Sequence, residues 1–173
     1  MERLEAGKAT AVIRFTLSAP RTSATGIPEG TQVRTADKRY FKTEKYAEIL
    51  PGELTVDVVA VADEAGSNSD GIAEGEINVL VDPIPYVSGA KSVSASTGGT
   101  DTEGDDSFTR RINYAPSIFS VAGPVDAYEY FASSWRSDVA DTKIVCKEGY
   151  TIHIYFLMAG GRVPTREECT GMQ

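Results

Sequence analysis

Side chains able to carry chemistry are scarce in this 173-residue sequence, which holds 2 cysteines and 1 histidine. Cys146 and Cys169 fall in different segments and have no CxxC spacing, so neither a disulfide framework nor a thiolate metal site is expected, and a reducing compartment fits. His153 would have to be the base of any Ser-His-Asp or Cys-His mechanism, yet it falls in the middle of a strand-like stretch and no GxSxG elbow occurs. An ordinary half-exposed imidazole is the simpler expectation. Ser88-Gly89-Ala90-Lys91 has the SxxK form but lacks the companion SDN and KTG elements. Without GxGxxG or GxxxxGK[ST], the sequence offers no dinucleotide or nucleoside triphosphate site. No catalytic residue, cofactor or metal is therefore expected, and the chain reads as a non-enzyme.

Long apolar runs are also missing. Val58 to Ala62 and Ile154 to Ala159 fall far short of the roughly 20 residues that cross a bilayer, and the first residues show no charged-then-apolar signal pattern. A soluble chain with no membrane partner is expected. Basic charge is in deficit too, with Lys plus Arg at 17 against Asp plus Glu at 25, for a net charge of -8. Such a chain repels phosphate backbones, so nucleic acid is not an expected partner. The imbalance is local: residues 1 to 50 carry 9 basic and 6 acidic groups, residues 51 to 106 carry 1 and 12, and residues 107 to 173 carry 7 and 7. The acidic middle reads as a solvated face, or as a patch that meets the basic face of a neighbouring subunit.

What is present is a patterned, foldable chain, 41% hydrophobic and 24% charged. Its length exceeds the common domain size of about 100 to 150 residues, and two small modules fit it. Ala9 to Leu17 alternates, with Ala11, Ile13, Phe15 and Leu17 on one side, as a half-buried strand requires. Pro28-Glu29-Gly30 and Pro51-Gly52 predict turns, and Gln32 to Thr35 and Tyr40 to Thr43 are β-like. Leu54 to Ala62 is apolar on both sides, which predicts a strand covered on both faces. Ile77 to Val81 predicts a short strand and Lys91 to Thr97 a weak one.

Beyond Gly98-Gly99 the character changes. Asp105 to Asn113 predicts a helix with an acidic first turn, ended or kinked at Ala115-Pro116. A second helix opens at Gly123-Pro124, with proline at the first helical position, and runs to about Arg136. Val125, Tyr128, Phe131 and Trp135 form an expected core-facing stripe; Tyr130 falls outside it and is the candidate intersubunit anchor. Thr142 to Lys147 and Thr151 to Leu157, joined by Glu148-Gly149-Tyr150, have hairpin spacing. Thr165-Arg166-Glu167-Glu168 has the form of a capping box, so a helix should start where the sequence stops, as in a piece of a longer protein. The fold class is α+β: a mainly β module over residues 1–90, then a small α+β module with two helices and a β-hairpin over residues 91–173.

Two acidic loops invite a calcium reading, but the loop register fails in both. In Gly66-Ser67-Asn68-Ser69-Asp70-Gly71, the first and last ligand positions fall on Gly66 and Ile77. In Asp101-Thr102-Glu103-Gly104-Asp105-Asp106, attraction of carboxylates to a helix N-terminus explains the cluster more simply.

One set of segments is more distinctive than composition. Gly71-Ile72-Ala73-Glu74-Gly75-Glu76-Ile77-Asn78, Leu80-Val81-Asp82-Pro83-Ile84-Pro85-Tyr86-Val87, and Thr97-Gly98-Gly99-Thr100-Asp101-Thr102-Glu103-Gly104-Asp105-Asp106 with Arg110-Arg111-Ile112 strongly resemble the baseplate J family of contractile phage tails. Phe15 to Pro20 and Ile27 to Val33 look like that family's β segment, and Ala115-Pro116 with Ser120 to Pro124 and Tyr128 like its helical one. Family members usually continue beyond this C-terminus. The resemblance implies a structural protein of the baseplate wedge in a phage or prophage contractile tail. It would self-associate and bind other wedge or hub proteins, in a virion tail baseplate assembled in the bacterial host cytoplasm. A receptor- or glycan-binding tail module is the alternative, and a hydrolase built on His153 a third reading.

Overall fold

A computed structural model of the chain describes residues 1–119, 123–147 and 151–172. The Glu148-Gly149-Tyr150 link and the Ser120-Val121-Ala122 segment named above lie outside the described residues. The chain divides into two compact units, one of Gly7–Thr100 and one of Met1–Ala6 with Asp101–Gln173.

The first unit is a β barrel in which sheet closure is nearly complete. Its strands are β1 (Thr10–Leu17), β2 (Thr25–Ile27), β3 (Gln32–Thr35), β4 (Tyr40–Thr43), β5 (Ala47–Ile49), β6 (Thr55–Ala62), β7 (Ile77–Leu80) and β8 (Val87–Ser92). Six of them form one sheet in the order β7-β3-β4-β6-β1-β8, and β2 pairs with β5. The outer strands β7 and β8 come together, with the Gly75 N–H donating to the Ser92 carbonyl at 3.0 Å just ahead of β7. Closing the sheet removes most of its exposed edge and gives it an inside. Alternation decides what fills that inside: Ala11, Ile13, Phe15 and Leu17 of β1 meet Val33, Phe41, Val58, Ala60 and Ile77, all buried.

The turns form where the residue types place them. Thr31 and Thr43 donate their hydroxyls to the Pro28 carbonyl at 2.7 and 2.9 Å, locking the predicted Pro28-Glu29-Gly30 turn. Strand β6 departs from expectation in one respect. Val58, Ala60 and Ala62 point inward, but Val59 is 43% exposed, so the strand is covered on one face only. In a barrel the second face is the outside, and valine suits either. The weak strand expected at Lys91 to Thr97 lies earlier, as β8. Pairing with β1, from Ile13 opposite Ser92 to Leu17 opposite Val87, outweighs the low strand propensity of Ser88-Gly89-Ala90.

The described chain re-crosses at Gly7, whose N–H donates to the Thr100 carbonyl at 2.8 Å. The expected boundary between residues 90 and 91 thus falls inside β8, within the barrel ladder. Close approach dictates Gly99, where an added Cβ would lie 2.6 Å from the Gly66 carbonyl oxygen. Asp70 accepts the Gly99 N–H at 3.1 Å, so the carboxylate of the first acidic loop serves the backbone.

The second unit holds α1 (Asp105–Tyr114), α2 (Val125–Trp135), the antiparallel strands β9 (Val139–Lys147) and β10 (Thr151–Met158), and α3 (Arg166–Gly171). Ala115-Pro116 ends α1 as expected, in a 3-10 turn over Ala115–Phe119. Pro124 occupies the N-cap of α2, one position before the expected site, with extended φ and ψ. The stripe expected on α2 is corrected in half: Tyr128 and Trp135 are half-buried, but Val125 and Phe131 are 47% and 61% exposed, whereas Ala127, Ala132 and Ser133 are buried. Helix α2 packs against α1 and β9, and small side chains let those backbones approach closely while the rings are displaced to the flanks.

Candidate functional site

The buried charge of the second unit explains the acidic and arginine block noticed in the sequence. Glu103 is fully buried and Arg111 nearly so, and they make a two-pronged pair at 2.9 and 2.7 Å. Their remaining capacity is used as well. The Leu4 N–H and the Ser107 hydroxyl donate to Glu103 at 3.1 and 3.3 Å, and Arg111 also donates to the Glu2 carbonyl at 2.8 Å. Burial, the largest influence, pushes the Glu103 carboxyl up. The Arg111 hydrogen bonds, the Leu4 N–H, the Arg111 charge and the Ser107 hydroxyl together outweigh it and hold the carboxyl below its usual range. Glu103 therefore fastens the N-terminal segment onto α1. Asp105 and Asp106 sit in the first helical turn, as expected from the helix dipole.

Apolar side chains are distributed very differently in the two units. Fifteen buried apolar residues form the barrel core, whereas among the described residues the second unit buries only Ala127, Ala132, Val139 and Met158. Its large apolar groups lie outside: Phe119 at 85%, Val163 at 73% and Phe131 at 61%, with Tyr155 half exposed and Ile152, Ile154 and Leu157 somewhat less. Strand β10 carries no formally charged side chain between Thr151 and Met158, and both of its faces meet solvent. A groove of about 470 Å³ runs along it, lined mainly by Ile154, Tyr155, Phe156, Leu157, Val163 and Pro164. Contiguous apolar surface of this kind is a candidate contact surface.

One wall of the groove is held by α3. The predicted capping box is present: the Thr165 hydroxyl accepts from the Glu168 N–H, and Glu168 accepts from the Thr165 N–H. Arg162 grips the same carboxylate at 2.9 and 2.8 Å, and Arg136 reaches it at 3.4 Å. The Arg162 hydrogen bonds pull Glu168 down to about 2, against partial burial, with help from the Thr165 N–H, the Arg162 charge and the Thr165 hydroxyl. A carboxyl lowered on folding contributes stability above its unfolded value near 4.5 and loses it as pH falls through about 2. Glu168→Ala is expected to loosen α3 by about 1–3 kcal/mol at neutral pH. Amide hydrogen exchange across residues 165–172 should show α3 opening in the native chain on acidification, and already open at pH 7 in the variant.

The residues singled out in the sequence are only partly brought together. Tyr130 is half-buried, meets Phe131 edge-on at 5.6 Å and contributes to the surroundings of Arg111. His153 stacks on Tyr155 at 6.3 Å on β10. Ser88 of the SxxK segment donates to the Thr16 carbonyl at 3.0 Å, as a strand-edge serine. Among the described residues no cluster of three metal-ligating side chains occurs, and no helix is long and apolar enough to cross a membrane. Sequence periodicity missed Phe131 as a surface residue; the one available signal was the run of small residues at Ala127, Ala132 and Ser133.

The first unit buries an apolar core of its own, whereas the large apolar groups of the second face outward. Residues 12–99, half of the chain, match the family described as the Baseplate J-like protein barrel domain. The chain belongs to that family. Its fold is shared by a chain of the structure titled "Cryo-EM structure of the anti-feeding prophage (AFP) baseplate, 6-fold symmetrised", with a TM-score of 0.56 at 10% identity over 98% of this chain. The match spans 53% of that longer chain. No curated protein matches the sequence.

Proposed function

We propose that the chain is a wedge component of a contractile-tail baseplate that associates with copies of itself and with other wedge or hub proteins, and that it catalyses no reaction. The observation that carries this reading is the outward apolar surface of β10 and the groove beside it, which suits contact with a neighbouring protein. Tyr130, edge-on to the exposed Phe131, is proposed as a further anchor on α2. In this reading the mainly β module and the α+β module act as separate parts of the assembly. Assembly takes place in the bacterial host cytoplasm, and the finished site is the tail baseplate. The glycan-binding alternative would use exposed rings such as Phe131 and Tyr155, since the sole tryptophan, Trp135, packs edge-on against Phe156 at 6.0 Å, and reproducible binding on a glycan array would favour it.

The test is the mass of the purified chain, alone and mixed with the other baseplate proteins of its own tail, by multi-angle light scattering. Tyr155→Glu with Leu157→Glu is expected to abolish the larger species and leave the melting temperature within a few degrees, because both side chains are about half exposed and outside the buried set. A strict monomer that joins none of those proteins would overturn the reading.

A further inference from the structure

Residues 1–6 belong to the second compact unit, although the whole barrel separates them in sequence from the rest of it. None of their side chains is buried: Met1, Glu2, Arg3 and Glu5 are exposed, and Leu4 and Ala6 half-buried. What holds them is a run of polar contacts at three successive residues. The Glu2 carbonyl accepts from Arg111 at 2.8 Å, the Leu4 N–H donates to the Glu103 carboxylate at 3.1 Å, and the Glu103 N–H donates to the Leu4 carbonyl at 3.0 Å. Between them the Arg3 guanidinium donates to the Glu103 carbonyl at 3.0 Å, pairs with Asp105 at 2.6 Å and lies over the Phe108 ring, 5.0 Å from its centroid.

The receiving side holds its own shape. Glu103 and Arg111 are joined by two hydrogen bonds and the Ser107 hydroxyl steadies the carboxylate, all within residues 103–111. Lifting residues 1–6 away would leave two donors, from Arg111 and the Glu103 N–H, and two acceptors, the Glu103 carboxylate and carbonyl. Beside them the Asp105 carboxylate and the Phe108 face suit a cation. Such a slot reads an extended backbone with an arginine at its centre. An attachment that is polar and largely solvated also opens at lower cost than a packed core.

We propose that residues 1–6 are a detachable strap, and that Glu103 and α1 form a peptide-binding slot for an extended segment of the form Glu2-Arg3-Leu4. The chain's own strap fills the slot, and the same sequence supplied separately competes for it. The occupant follows from the contacts themselves, and the proposal stands apart from the assembly reading and from the β10 groove.

Two measurements on the full chain test it. In native-state amide exchange at neutral pH, the Leu4 and Glu103 amides should exchange at least tenfold faster than those of α1 around Arg111. In fluorescence anisotropy with a labelled peptide copying Met1 to Lys8, the Arg3→Asp chain should bind at least tenfold tighter than the native chain, because its own strap competes less. Arg3→Ala should act in the same direction with a smaller gain. Adding Asp105→Asn to the Arg3→Asp chain, or scrambling the peptide, should weaken binding at least tenfold. Leu4 and Glu103 amides that exchange only together with α1, or equal peptide binding by the native and Arg3→Asp chains, would overturn the proposal.

Discussion

Arg111→Leu is expected to lower the stability of the α+β unit by about 3–5 kcal/mol, the usual cost of breaking a buried ion pair on one side. The magnitude follows from what is left behind. Glu103 has no exposed side-chain surface and would remain a carboxylate with only the Leu4 N–H and Ser107 hydroxyl as donors, or take up a proton. The N-terminal segment would also lose the Arg111 bond to the Glu2 carbonyl. Glu103→Leu with Arg111→Leu should recover much of the loss, because replacing both partners removes the stranded charge. Urea unfolding followed by tryptophan fluorescence is a suitable probe, since Trp135 belongs to this unit. Equal stability of Arg111→Leu and the native chain would show that the pair contributes nothing net. Since folding lowers the Glu103 carboxyl, its contribution is present above the unfolded value near 4.5 and is lost as pH falls through the folded one. The part of the acid sensitivity that Glu103 contributes should vanish in the double variant, leaving that of Glu168.

Phe15→Ala should cost the barrel a similar amount, about 3–5 kcal/mol, for the lost burial and the cavity left behind. Phe15 is fully buried on β1, the strand that pairs with both β6 and β8, so its neighbours are fixed by two ladders and have little freedom to collapse. The matched control is Phe131→Ala. Helical periodicity puts Phe131 on a core stripe, but its 61% exposure predicts a change within about 0.5 kcal/mol. Thermal unfolding of the two variants distinguishes the accounts, and a large loss from Phe131→Ala would mean that its ring is covered in the folded chain.

Strands of period two proved far more legible than helix faces. In β1, alternation decides the answer because a strand has only two sides, and Ala11, Ile13, Phe15 and Leu17 all point inward as expected. In α2 the hydrophobic pattern admits several rotations about the axis, and the partner surfaces chose the one that buries Ala127, Ala132 and Ser133. The capping box at Thr165 was readable because it needs four consecutive residues and no tertiary partner. The Glu103 to Arg111 pair was visible only as an acidic and basic block, since its meaning depends on Leu4 and Glu2, about 100 residues away along the chain.

The candidate surfaces show the same division. That β10 is apolar on alternate positions could be read directly, but not that the described residues would leave both of its faces exposed. The slot for residues 1–6 was not legible, because Arg3 meets Asp105 and Phe108 only in the folded chain.

The amino-acid order by itself determined most of the local elements, the turns, the capping box of α3 and the family, because each depends on neighbours within a few positions or on residue type alone. Only the tertiary structure decided which helix face is buried, where the barrel begins and ends, and which apolar groups remain in water. Those outcomes depend on contacts between segments far apart in the chain, where packing outweighs local preference.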